Sequence, residues 1–165
     1  MGNMYAVKLL KEMVDEGKFL SSDDLRIENV EELLTNRDDD MFAEQWGMVD
    51  CELAKIRKDR PGELRYGIPI KERKIIESIE EELYFRVYNS CKDDDLLIYY
   101  DDLSAYLSDD FGLIAEALYF GYNNSWLNAL FYEYIEHRIP SGYLKKVEGD
   151  LCDILMKYHE KCNKS

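Results

Sequence analysis

Apolar side chains recur along this chain at helical spacing, and their intervals mark out the elements in turn. Leu9, Leu10, Met13 and Val14 share one side of a first helix over residues 4–16, and Gly17 supplies its stop. Asn29 and Glu32 form a capping box ahead of a short helix through Leu33 and Leu34. Phe42, Trp46, Val49, Leu53 and Ile56 recur at intervals of 4, 3, 4 and 3, a sustained helical face. Asp38, Asp39 and Asp40 precede it, where the helix dipole favours negative charge. Asp59-Arg60-Pro61-Gly62 is a turn signal and Gly67 to Pro69 a second break, with Glu63 to Ile68 between them as a short strand or a loop.

The second half continues in the same period. Ile75, Ile76, Ile79, Leu83 and Val87 stripe a long helix from Ile70 to Asn89, with Pro69 near its first position. Leu96, Tyr100, Leu103 and Leu107 fit a helix behind the cap Asp93-Asp94-Asp95, although Leu96 to Tyr100 also fits a buried strand. Asp109 or Asp110 is placed to cap a further helix carrying Leu113, Ile114, Ala117, Leu118 and Phe120. Gly121 to Ser125 breaks it, and Ser125 opens another helix that runs to Arg138 before Pro140. Ser141 is placed to cap the last, striped by Leu144, Val147, Leu151, Ile154, Leu155 and Tyr158. The pattern predicts an all-α fold: a compact bundle of about seven short to medium helices, with at most a short strand pair near 63–70. One domain over residues 1–165 is expected, with no internal repeat and no low-complexity linker.

Charge changes the picture most. The chain carries 35 acids against 21 bases, a net charge of −14. That disfavours direct contact with nucleic acid or an anionic membrane and favours a basic protein partner. The acids are also unevenly placed. From Asp93 to His137 there are ten acidic side chains and no Lys or Arg, where the average frequency of bases would put roughly five or six. Tyrosines and other aromatics are interleaved with them. The opposite bias runs from Lys55 to Lys74, with eight bases against three acids, and reads as an orienting patch or a contact for an acidic region. Met1 to Val14 lacks the pattern of a signal peptide, and no apolar run approaches the ~20 residues of a membrane span. Cys51, Cys91, Cys152 and Cys162 show no metal-ligand spacing and read as free thiols of a cytoplasmic protein.

Catalytic chemistry finds little support. His137 and His159 lie in no recognisable Ser or Cys nucleophile motif, and no glycine-rich phosphate loop is present. Asp110-Phe111-Gly112 spells the kinase magnesium motif without the catalytic and glycine-rich loops it requires. Asp101, Asp102, Asp109 and Asp110 offer a site for Mg²⁺ in a helical hydrolase, but adjacent carboxylates on a helix diverge by about 100°.

The reading that uses most of the sequence is stoichiometric binding without catalysis, cofactor or metal. Asp93, Asp94, Asp95, Asp101, Asp102, Asp109, Asp110 and Glu116 would stand in for phosphates, and Tyr99, Tyr100 and Tyr106 would anchor the contact. The partner would be a basic protein, a nuclease or another nucleic-acid-binding protein. In charge, size and aromatic content the chain resembles the small acidic proteins of phages and mobile elements that block restriction or CRISPR nucleases. The same logic fits an immunity protein that plugs a toxic nuclease, and a Mg²⁺-dependent hydrolase is the alternative from another class.

Overall fold

The structure is a computed structural model describing residues 3–59, 64–65 and 67–164, with residues 64 and 65 described in backbone only. Among these, seven α-helices carry the fold: α1 (Met4–Asp15), α2 (Val30–Arg37), α3 (Asp40–Lys58), α4 (Ile70–Tyr88), α5 (Leu97–Phe120), α6 (Ser125–Ile135) and α7 (Leu151–Asn163). The all-α expectation holds. The strand pair is two residues on each side, β1 (Leu64–Arg65) antiparallel to β2 (Ile68–Pro69). The predicted turn at 59–62 falls outside the described residues beyond Asp59.

Helix starts follow the polar residues that precede them. The side chains of Asn3, Asn29, Asp39, Asn124 and Asp150 each accept a backbone N–H of the first turn they precede. Gly17 takes φ +77° just past α1, and Gly121 takes φ +69° as the C-cap of α5. Helix α5 is the central element, packing against α1, α2, α3, α4 and α7. Every residue from Phe111 to Tyr119 is buried. Phe19, from the loop after α1, joins Phe111, Phe131 and Tyr158 at ring separations of 5.4, 5.6 and 5.3 Å, so α5, α6 and α7 share one aromatic cluster.

Two predicted boundaries are corrected. Asp109 and Asp110 cap nothing: α5 runs unbroken through them, and a single 3-10 turn at Asp94–Leu96 precedes it. The run Leu96 to Tyr100, which also fitted a strand, is the start of this helix. Likewise Ser141 opens no helix, and α7 begins at Leu151 behind Asp150. The intervening chain stays irregular because Asn128 Nδ2 donates to Val147 O and Gly149 O at 3.0 and 2.9 Å, holding the segment against α6.

Asp110 explains why α5 does not stop. Its side chain is fully buried and accepts four hydrogen bonds. Arg37 of α2 grips both oxygens, Nη1 at 2.7 Å and Nη2 at 3.0 Å. Trp46 Nε1 of α3 donates at 2.9 Å and Tyr134 Oη of α6 at 2.5 Å. Burial works against the Arg37 charge, but Asp110 more than offsets it and holds the guanidinium protonated above its ordinary range. Burial, reinforced by Asp110, pushes the Tyr134 hydroxyl well above its ordinary value and keeps it a donor.

Removing one partner of such a pair leaves an uncompensated buried charge. Asp110→Ala is expected to lower stability by about 3–5 kcal/mol. The double variant Arg37→Met/Asp110→Leu should lose much less. Equilibrium urea unfolding of the three proteins checks both statements.

Candidate functional site

The outward side of α5 is the feature that the packing leaves open. It starts at Ile98, which is 69% exposed. At about 100° per residue, Asp101, Asp102, Ala105, Tyr106 and Asp109 fall within the same sector. The three aspartates are exposed, and Ala105 and Tyr106 are half-buried.

Helix α4 flanks this sector on one side. Tyr84 meets Asp101, Glu80 meets Gly112 and Arg73 meets Glu116, so the two helices run antiparallel. Tyr84 Oη donates to Asp101, its ring stacks on Tyr88 at 6.3 Å, and it meets Phe85 edge-on at 5.7 Å. Phe85 is itself 53% exposed. Together with Leu97 and Ile98, these rings form an apolar patch with Asp101 at its edge. The other flank is built by α2 and α3. There Tyr106 Oη donates to Asp38 at 2.9 Å, and a pocket of about 290 Å³ opens between Asp38, Phe42, Trp46, Tyr106 and Asp109.

The deeper end of the sector is closed by ion pairs. Glu116 is buried and accepts from Arg57 and from Arg73 Nη1, the latter at 2.5 Å. Beside it lies the Glu80 carboxyl, against the bare Cα of Gly112, where an added Cβ would come within 2.5 Å of Glu80 Oε2. Burial pushes Glu80 up to about 7, Arg73 pulls it down, and Asp109, Glu116 and Glu77 push it up again. Asp109 is raised in the same way, first by burial and then by the Asp110 charge next to it. The free face thus holds like charges close together.

The predicted contact residues divide accordingly. Asp101, Asp102, Tyr106 and Asp109 share the open sector, and Asp93, Asp94 and Asp95 are exposed on the turn ahead of it. Asp93 also caps that turn, accepting from Asp95 N at 3.0 Å. Tyr100, Asp110 and Glu116 are buried and leave the surface, because the central position of α5 turns them inward. Tyr99 is half-buried against the core. Two arginines of the basic segment are part-buried and turned toward the protein, since Arg57 and Arg73 neutralise Glu116. Sequence reasoning missed Tyr84, Phe85, Tyr88, Trp46 and Asp38. Phe85 and Tyr88 stand off the buried stripe Ile76, Ile79, Leu83 and Val87, and that offset was the available signal. Among the described residues, no three His, Cys, Asp or Glu side chains gather as a metal would require. Asp101 and Asp110, two of the proposed ligands, are engaged by Tyr84 and Arg37 instead. No helix of the described residues is long and apolar enough to cross a membrane.

The model of one family, described as immunity protein PIM1, matches residues 9–141. That stretch covers most of the chain, and the chain belongs to this family. No curated protein and no solved structure matches it.

The position of Glu80 gives stability a definite pH dependence. Its folded-state value, about 7, lies above the ordinary 4.5, so the folded protein binds the extra proton between them. The contribution is therefore fully present below the ordinary value and is lost as pH rises through about 7. Chemical denaturation across that window should show a shallower fall in stability for Glu80→Gln than for the parent. Parallel curves would remove Glu80 as the source.

Proposed function

We propose that this chain acts as an immunity protein: it binds a toxin stoichiometrically, performs no chemistry on it, and neutralises it by covering a basic surface. Membership of the immunity protein PIM1 family over residues 9–141 is the observation that carries this reading. The outer face of α5 supports the choice of a basic, nucleic-acid-handling surface on the toxin. Asp101, Asp102 and Asp109 project from one helix sector at helical spacing, with Asp93 to Asp95 beyond its N-terminal end. Carboxylates spaced along a rod imitate the charge of a nucleic-acid backbone, and a groove that binds phosphates accepts them for the same reason. The aromatic groups beside them supply area with little conformational entropy to lose.

A blocker of restriction or CRISPR nucleases would present a similar face, and the family match favours the toxin. The surface residues proposed for contact are Asp93, Asp94, Asp95, Asp101, Asp102, Tyr106 and Asp109, with Tyr84, Phe85 and Ile98 at the edge.

Capture of partners from the source cell at low and high salt, followed by inhibition assays on the captured protein, tests this. The expected result is salt-sensitive capture of a basic toxin whose activity stops at an equimolar amount of this chain. The triple variant Asp101→Lys/Asp102→Lys/Asp109→Lys should bind at least about a hundredfold more weakly while keeping its helicity. Inhibition well below an equimolar ratio would point to turnover and sink the non-enzymatic reading. A captured restriction or CRISPR nuclease would replace the toxin with the phage alternative.

A further inference from the structure

The pocket on the α2–α3 flank has a chemistry more specific than the face around it. Its walls are the rings of Phe42, Trp46 and Tyr106, and Asp38 and Asp109 bring carboxylates to it. Arg37 also contributes to the lining, but both of its terminal nitrogens are committed to Asp110, so its charge is already answered. That leaves two acids facing a space bounded by aromatic groups, with Asp50 adding to the negative field at Asp109. At about 290 Å³ the pocket admits the end of one long side chain and excludes a length of folded chain. Polar ties hold two of the walls still: Tyr106 bonds Asp38 and Trp46 bonds Asp110, at 2.9 Å each. A preorganised site loses little entropy on binding.

We propose that this pocket receives an arginine side chain of the toxin. The identity of the partner rests on the immunity reading, and the pocket itself does not. A guanidinium fits these walls better than an ammonium, because it is planar, weakly hydrated and able to lie on an aromatic face while bonding carboxylates at its edge. The Arg37 guanidinium already lies over two of these rings, 4.5 Å from the centre of Phe42 and 5.4 Å from that of Tyr106, so Trp46 is the aromatic wall that an incoming guanidinium would lie against. An incoming cation also favours the ionised form of Asp109, which burial, Asp110 and Asp50 disfavour by more than Arg37 restores. Asp38 and Asp109 attract the cation, and the Trp46 ring selects its shape.

The test uses the intact protein and no toxin. Acetyl-arginine amide is titrated in while NMR follows the Trp46 indole N–H, which sits at the pocket wall. Acetyl-citrulline amide, the same shape without the charge, is the control. A saturable shift with the arginine probe alone is expected. Its affinity should fall about tenfold in Asp109→Asn, which removes a charge-assisted bond. It should be lost in Ala43→Leu, where an exposed helical alanine at the pocket is enlarged to fill it. Absence of a saturable shift, an equal response to citrulline, or unchanged affinity in both variants overturns the proposal. Toxin neutralisation is read separately. Neutralisation without arginine binding removes the pocket alone, and arginine binding without neutralisation removes the immunity reading alone.

Discussion

A carboxylate buried in the middle of a helix sets the arrangement of three other helices around it. Asp110 has no solvent to satisfy it, and an unpaired charge there would cost several kcal/mol. Arg37, Trp46 and Tyr134 meet that demand from α2, α3 and α6. Hydrogen bonds tolerate errors of a few tenths of an ångström, so these helices have little freedom to slide or rotate about α5. The consequence for the surface is direct. Asp109, one residue earlier and about 100° around the helix, is turned outward by the same constraint. The orientation that satisfies Asp110 aims the acidic sector at solvent and sets Trp46 and Tyr106 on either side of the pocket beside it.

The acids of α5 therefore serve two purposes, divided by helical angle. Asp110 and Glu116 are neutralised inside by Arg37, Arg57 and Arg73, all drawn from outside the base-free stretch. Arg86 is also turned to internal use, donating to the carbonyls of Phe19 and Val14 at 2.8 Å each. Spending arginines internally leaves fewer cations to shield the surface. Asp101, Asp102 and Asp109 consequently face solvent without the arginines that answer their buried neighbours. A field of this kind accelerates encounter with an oppositely charged partner, and under the proposed reading the apolar rings at its edge would supply the contact area.

How much of this was legible from sequence follows from the range of the forces involved. Caps act over three residues, so Asn29 and Asp39 could be read directly, and both cap as expected. Helical stripes are equally local, and Leu53 and Leu83 are buried where the spacing puts them. Asp109 and Asp110 misled for the converse reason. Adjacent aspartates usually begin a helix, and distant partners, Arg37 at 73 positions together with Trp46 and Tyr134, let Asp110 sit inside one. The acidic bias of residues 93–137 was visible, but its division into inner and outer charges was not, because Arg57 and Arg73 reach Glu116 across the fold. The aromatic flank at Tyr84 and Phe85 was hidden by the same distance, since only the antiparallel packing of α4 sets it beside Asp101.

Crowding like charges on the face works against the free protein. Glu80 is driven up to about 7 by burial with Asp109, Glu116 and Glu77 nearby, and its attraction to Arg73 does not cancel that. Folds keep such locally unfavourable groups where a function uses them. Under the proposed reading, a partner that brought cations to the face would favour the ionised carboxylates there and would draw off the proton that Glu80 holds. Linkage makes the effect reciprocal: whatever deprotonates Glu80 strengthens the attraction to a basic surface by the same free energy. Burial is the largest part of the Glu80 shift, and Gly112, by letting the carboxyl lie against α5, helps set its size and with it the strength of the proposed coupling to a basic surface.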